Sequence, residues 1–304
     1  MAEAPSNNVV PLPRPHAVAP FEFPSPGTVI LSPITNNSYT VGDRRGEGSF
    51  GVVFDCVDVW RNALVAKVLK PNGSAFDAVE QKAMSELGAL VHVRHPKIVH
   101  VHDAFVYKGA CYIISERCDN TLHNMISRPN FEPRVWFFAI ARCILQAVHF
   151  AHVQGLVHCD IHPGNIFSRF IRDEIVPAEH AAFTFKLGDF GLAKQRVSVD
   201  AQSTFLNSIR PPEAIAPDEF GPVDHRVDIY HVGLVLLQAF SGQILSFDRD
   251  EILAGRPREL ALALPPSVAF AIEKTLRRHV VHRTSSALEV WRDLSAQAGL
   301  ASAS

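Results

Sequence analysis

The spacing of apolar and polar residues divides the chain into two unlike halves. Between Tyr39 and Ser115 the apolar residues come in short runs of strand length. Tyr39–Arg45, Val52–Val59 and Ala63–Lys70 predict three strands, with Asn62 at the second turn. Ala75–Val91 places Phe76, Val79, Ala83, Leu87 and Leu90 at the spacing of an amphipathic helix. Ile98–Val106 and Ala110–Ser115 predict two more strands. Past Cys118-Asp119-Asn120 the period becomes helical. Pro133–Gln154 turns Trp136, Ile140, Ile144, Ala147, Val148 and Ala151 to one side, and Gly155 closes it as a left-handed cap. Phe183–Leu187 and the strand before it predict a small hairpin, and further helices are expected near Asp228–Phe240, Pro266–Arg278 and Ser285–Ala298. The expectation is an α+β fold: a small strand-rich lobe with one main helix, then a larger, mainly helical lobe.

Residues 1–35 have neither period and are dense in proline, which predicts a disordered or extended arm. A solvated leader is the simple reading of that arm, and a docking partner of the SH3 kind the alternative. The folded domain is expected over 36–300, with the small lobe at about 36–117 and the large lobe at about 118–300. Length fits two lobes, since the chain has 304 residues. At 47% hydrophobic it can bury a sizeable core, and a net charge of −2 gives no reason to expect nucleic acid or an acidic membrane as partner. The best apolar run, Val232–Phe240, is too short to cross a bilayer. Five scattered cysteines without a CxxC pair, and a first stretch lacking the blocks of a secretion signal, predict reduced thiols and a cytoplasmic setting.

Chemistry enters with Gly46-Glu47-Gly48-Ser49-Phe50-Gly51-Val52-Val53. Glycines at 46, 48 and 51 between two strands let the backbone approach phosphate oxygens. Phe50 is placed to cap the loop, and Val53 to pack on a nucleotide base. Lys67 follows on the apolar strand Leu64–Leu69, where a charge requires a partner. Glu86 on the following helix is the preferred candidate and Glu80 its competitor. His158-Cys159-Asp160 with Asn165, then Asp189-Phe190-Gly191, complete an ordered series: phosphate loop, lysine, carboxylate with amide, second carboxylate. A metal-assisted phosphoryl transfer needs these parts.

On these motifs the chain resembles the eukaryotic-type protein kinases over about residues 39–298. Pro211-Pro212-Glu213 resembles the motif that closes the activation segment, Asp228-Ile229-Tyr230 the start of the central large-lobe helix, and Arg283 the arginine that pairs with Glu213. The resemblance implies a bilobal kinase fold and ATP with Mg2+ as cofactors. It implies a protein substrate phosphorylated on Ser or Thr. Asp160 would orient the substrate hydroxyl and take its proton, Lys67 held by Glu86 would reach the α- and β-phosphates, and Asn165 and Asp189 would hold the metal. Glu116-Arg117-Cys118 would be the hinge against the adenine edge, with Ser115 before it and Val65 lining the base.

Four departures qualify the resemblance. Cys159 stands where an arginine usually pairs with a phosphorylated activation segment, so weak or no dependence on phosphorylation at Ser198, Ser203, Thr204 or Ser208 is expected. The thiol reads as buried and inert, with a redox switch as the alternative. His162 replaces a lysine near the γ-phosphate and supplies a hydrogen bond without a full charge. His158–Asn165 is also similar to the catalytic loop of aminoglycoside and choline phosphotransferases. Asn165 and Asp189 lie 24 residues apart, an enlarged separation whose extra residues, Arg169–Ala182, are expected to form an exposed flap. A kinase-fold scaffold without catalysis and a small-molecule phosphotransferase are the competing functions. Ser115 is small for its position and predicts a pocket behind the adenine that admits bulky inhibitors.

Overall fold

A computed structural model of the protein describes residues 22–48, 51–69, 94–171, 182–190, 193–199, 209–297 and 299. The expected helix over Ala75–Val91, with Glu80 and Glu86, and the loop tip Ser49-Phe50 lie outside the described residues.

The small lobe is one antiparallel sheet in the order β1-β2-β3-β4-β6-β5. Its strands are β1 (Val29–Leu31), β2 (Ser38–Gly48), β3 (Gly51–Asp58), β4 (Ala63–Leu69), β5 (Val101–Tyr107) and β6 (Ala110–Glu116). Alternation decides its faces. Val52, Phe54 and Cys56 on β3, Leu64, Ala66 and Val68 on β4, and Tyr112 and Ile114 on β6 are buried in one apolar cluster. The intervening residues of those strands therefore share the opposite face, toward the large lobe. Gly51 is required where it stands, because a Cβ there would lie 2.1 Å from the Val68 carbonyl oxygen.

β1 corrects the expectation of an arm over 1–35: Val29–Leu31 pairs with Ser38–Thr40. Only Ile30 of its three residues is buried, too short an alternation to stand out among prolines. The buried Asp103 carboxylate fastens the turn after β1 and the start of β2, accepting from Thr35 Oγ1 at 2.6 Å and Tyr39 Oη at 3.0 Å. Burial, then the bond to Asp103, pushes the Tyr39 hydroxyl up to about 12.

The large lobe is built on α1 (Leu122–Ile126), α2 (Pro133–Val153), α3 (Pro212–Ile215), α4 (Pro217–Phe220), α5 (Arg226–Ser241), α6 (Arg249–Ala254), α7 (Arg256–Leu262), α8 (Pro266–Thr275) and α9 (Ala287–Gln297). A three-stranded sheet runs β10-β9-β7, from β7 (Asn120–Thr121), β9 (Ile166–Ile171) and β10 (Ala182–Leu187). β8 (Leu156–Val157) pairs with β11 (Lys194–Gln195). α2 meets the expected helix, and Gly155 just beyond it has φ +76°. By length and composition α2 could cross a membrane, more so than the run at Val232–Phe240, yet half of its apolar window is buried. It packs against α5, α9 and β10, as a core helix does. The short helices α6 and α7 were not legible; each is too brief for its period to show.

The lobes are joined by backbone. Val99 N–H donates to the Leu187 carbonyl and Leu187 N–H to the Lys97 carbonyl, each at 2.8 Å.

Candidate active site

Strand register assembles the upper wall. Gly46 pairs with Val53 and Gly48 with Gly51, closing the glycine turn. Val53 lies opposite Lys67, Lys67 opposite Ile113, and Val65 opposite Ser115, so these side chains form adjoining rows on the cleft face. A cavity of about 500 Å³ lies beneath them. Of the expected nucleotide residues, Gly46, Glu47, Gly51, Val53, Val65 and Lys67 line it from the strands, and Ser115, Glu116 and Cys118 from the hinge. Asn165 and Asp189 line it from the large lobe. Asp160 and His162 lie outside its wall. Asp160 is reached through Asn165, whose amide Nδ2 donates to the Asp160 carbonyl at 2.9 Å and to its Oδ2 at 3.4 Å.

The lower wall is irregular backbone under tension. Cys159 has φ +66° and Asp189 φ +57°, both left-handed and without a glycine's freedom. Buried hydrogen bonds hold them. The Asp228 carboxylate at the start of α5 accepts from His158 N–H at 2.8 Å, Cys159 N–H at 2.9 Å and His152 Nε2 at 2.9 Å. Burial opposes ionisation of Asp228, but the hydrogen bonds from His152 and the His158 N–H help hold the carboxyl below the usual range. His158 Nδ1 accepts from Asp160 N–H at 3.2 Å, which leaves Nε2 to donate to the Gly188 carbonyl at 3.0 Å. Gly188 N–H in turn donates to the Asn165 carbonyl at 2.9 Å. One imidazole and one backbone hydrogen bond thus tie both carboxylate loops together.

Lys67 Nζ donates to both oxygens of Asp189, each at 2.7 Å. The lysine does meet a carboxylate, as its strand demanded: among the described residues Asp189 is a partner, while Glu86 lies outside them. For a divalent cation, Asn165 offers the amide oxygen left once Nδ2 is committed to Asp160, and Asp189 a carboxylate on the same cavity. That is a hard-oxygen donor set of the kind Mg2+ takes.

His162 Nδ1 accepts from Gly164 N–H at 3.1 Å, so the neutral ring carries its proton on Nε2, 3.8 Å from Asp160 Oδ2. Among the described residues that Nε2 has no hydrogen-bond partner. Burial holds the His162 pKa below the ordinary imidazole value. Gly164 makes room for the ring, since a Cβ there would lie 2.7 Å from His162 Cε1.

The hinge is braced from below. The buried Glu116 side chain accepts from His100 N–H at 2.8 Å and Lys186 Nζ at 2.5 Å and pairs with the Arg169 guanidinium. This corrects part of the flap expectation: β9 runs to Ile171, and Arg169 belongs to the hinge brace. Residues 172–181 of that segment lie outside the described ones. Burial pushes the Cys118 thiol up to about 11 and the Cys159 thiol higher still, so neither is a reactive thiolate. Cys159 packs with Val157, Ala214 and Val227, and Val199 of the following segment covers them. Arg283 closes on Glu213 by two parallel bonds of 2.6 and 2.7 Å, both side chains fully buried.

Sequence reasoning missed Phe167 and Val99, which also line the cavity. Phe167 was within reach: it follows the apolar Ile166, which opens β9 and is fully buried, so alternation turns Phe167 to the opposite, cleft side.

Comparison with known proteins places the chain. The protein kinase domain matches residues 39–287, and the chain belongs to that family. It is 32% identical to human cyclin-dependent kinase-like 4 over 207 residues, 66% of this chain and 51% of that protein. It is 27% identical to a probable serine/threonine-protein kinase of Clostridium acetobutylicum, over 88% of this chain and 41% of that protein. The chain thus spans about half the length of the curated relatives it matches. A double mutant of the Mycobacterium tuberculosis PknI kinase domain superposes with a TM-score of 0.65 at 24% identity, covering 91% of this chain and all of that one, which shows the shared bilobal fold.

Proposed function

We propose that the protein is an ATP- and magnesium-dependent kinase that phosphorylates Ser or Thr hydroxyls of protein substrates. The observation that carries this reading is the convergence of Lys67, Asn165 and Asp189 on one cavity, with Asp160 hydrogen-bonded to Asn165 at its edge. Hinge backbone at Glu116–Cys118 meets the adenine edge, and Val53, Val65 and Phe167 pack on the base. Lys67 orients the α- and β-phosphates. Asn165 and Asp189 hold magnesium, which when bound offsets charge on the phosphoryl oxygens. Asp160 accepts the substrate hydroxyl's proton as the new O–P bond forms and the bond to the β-phosphate oxygen breaks, releasing ADP. His162 offers one Nε2–H donor beside Asp160 in place of a full cation.

Activity in this reading does not wait for activation-segment phosphorylation. Cys159 supplies no cation, and the surface it shares with Val157, Ala214 and Val227 is apolar and covered by Val199. Replacing Ser198, Ser203, Thr204 and Ser208 together by alanine leaves activity within about threefold; abolition refutes the point. Ser115 opens a pocket beside Val65, so Ser115→Met weakens bulky ATP-competitive inhibitors by about tenfold or more; unchanged affinity sinks that idea.

The deciding experiment incubates the protein with MgATP and a generic protein substrate and maps phosphosites by mass spectrometry, with an aminoglycoside panel alongside. Phosphoserine or phosphothreonine that disappears in Lys67→Ala and Asp160→Ala supports the proposal. Transfer only to aminoglycosides, or none, overturns it.

A further inference from the structure

A second cavity, of about 280 Å³, shares no lining residue with the cleft and is walled by Arg258, Arg277, Arg278, His279 and His282. Every one of these is a basic side chain. Among the described residues the carboxylate that touches them is Glu273 on α8, mostly buried, which accepts from Arg258 Nε at 2.8 Å and from Arg277 Nη2 at 2.5 Å. Three guanidinium charges less one carboxylate leave a formal excess of two at this spot, in a chain whose net charge is −2.

The arginines are held in place before any ligand arrives. Arg283, locked onto Glu213, donates to the Arg277 carbonyl at 3.1 Å and the Arg278 carbonyl at 3.3 Å, fixing the backbone that carries them. Arg277 Nη1 donates to the His282 carbonyl at 3.3 Å. Arg278 lies over the Phe220 ring at 5.6 Å and spends Nη1 on the Leu253 carbonyl at 2.5 Å. Glu273 turns Arg258 and Arg277 by their Nε edges. Among the described residues, both Nη groups of Arg258, and Nε and Nη2 of Arg278, make no hydrogen bond. Forked donors fixed at the edge of a cavity, with their charge only partly offset, match an oxyanion better than water. A lone carboxylate would offset half of the excess charge; a phosphomonoester, at about −1.5 to −2, offsets most or all of it.

We propose that this cavity binds a phosphoryl oxyanion, carried by a phosphorylated peptide or present as free phosphate. It is a site separate from the nucleotide cleft, and it does not depend on catalysis.

The test is isothermal titration of the full chain with three probes: inorganic phosphate, a short phosphoserine peptide of otherwise neutral residues, and the same peptide unphosphorylated. Arg258→Gln is the main variant, because Glu273 keeps Arg277 when Arg258 is lost. Arg278→Gln is the second, and thermal melts without ligand check that each folds. Binding of the phosphopeptide but not its unphosphorylated form, weakened about tenfold or more by either variant, supports the site. Equal affinity for phosphate alone supports it too, and assigns the free anion. No binding of either phosphorylated probe at millimolar concentration overturns the proposal, and so does binding that both variants leave unchanged.

Discussion

The two walls of the cleft carry their charged groups by opposite means. The upper wall is regular strand: Lys67 points into the cleft because Ala66 and Val68 on either side of it are buried, and register does the rest. The lower wall is irregular loop, where Cys159 and Asp189 sit at positive φ and buried hydrogen bonds to Asp228 and Gly188 hold the shape. A group carried by a strand can be replaced without disturbing its neighbours, because the backbone is paired independently of it. A group carried by the loop shares its position with everything that fixes the loop. Changes at the lower wall should therefore couple stability to chemistry, and changes at the upper wall should separate them.

The largest effect is expected at Asp160. In the proposed function Asp160→Ala removes the carboxylate that would take the proton, and activity should fall by about 100- to 10,000-fold. Next comes Asp228, which lies outside the cavity wall and acts only through the loop it holds. Asp228→Ala strands three buried donors, and the cost should be about 3 kcal/mol or more, read as a lower denaturation midpoint. Activity should fall with it, as the catalytic loop loses its anchor. Lys67→Met gives the contrast. Its pair with Asp189 is partly open to water, the two side chains being 20% and 35% exposed, so stability should move by about 1 kcal/mol at most. Nucleotide affinity should nonetheless fall about tenfold. If Lys67→Met unfolds the protein as readily as Asp228→Ala, the distinction between the walls is wrong.

The same contrast explains what could be read from the sequence. The apolar strand Leu64–Leu69 displayed Lys67 as a charge in need of a partner, since a strand pattern survives in a single chain; Val53 came with the glycine loop, and Val65 and the hinge came through the resemblance. Asp160, Asn165 and Asp189 were found through motif order and resemblance, not through periodicity, and so was the Arg283–Glu213 pair. The lysine's contact with Asp189 and the Glu116 brace by Lys186 and Arg169 escaped notice. Each joins residues more than 50 positions apart, brought together by the folding of β9 and β10 under the hinge. The β1 strand was hidden by its brevity and by the prolines around it.

The smallest effect, and the most diagnostic of buried loop structure, is in the pH dependence of stability. Among the described residues six histidines, His95, His100, His102, His162, His225 and His231, have pKa values held below the ordinary imidazole value, in each case chiefly by burial. Unfolding returns them to about 6.5. Above that value neither state binds the proton and stability is unaffected. As pH falls below about 6.5 the unfolded chain takes up protons that the folded chain refuses, so stability declines until the depressed folded values are reached. Melting temperature should therefore be level near neutrality and drop on mild acidification. His231 is fully buried in α5, with Nε2 on the Ile209 carbonyl at 3.0 Å, and should carry a large share of the drop. His231→Gln preserves a donor but does not titrate, so the difference in melting temperature between about pH 7.5 and 5.5 should shrink in that variant. A melting temperature that rises on acidification would show that these imidazoles are charged inside the fold, and that burial does not govern them.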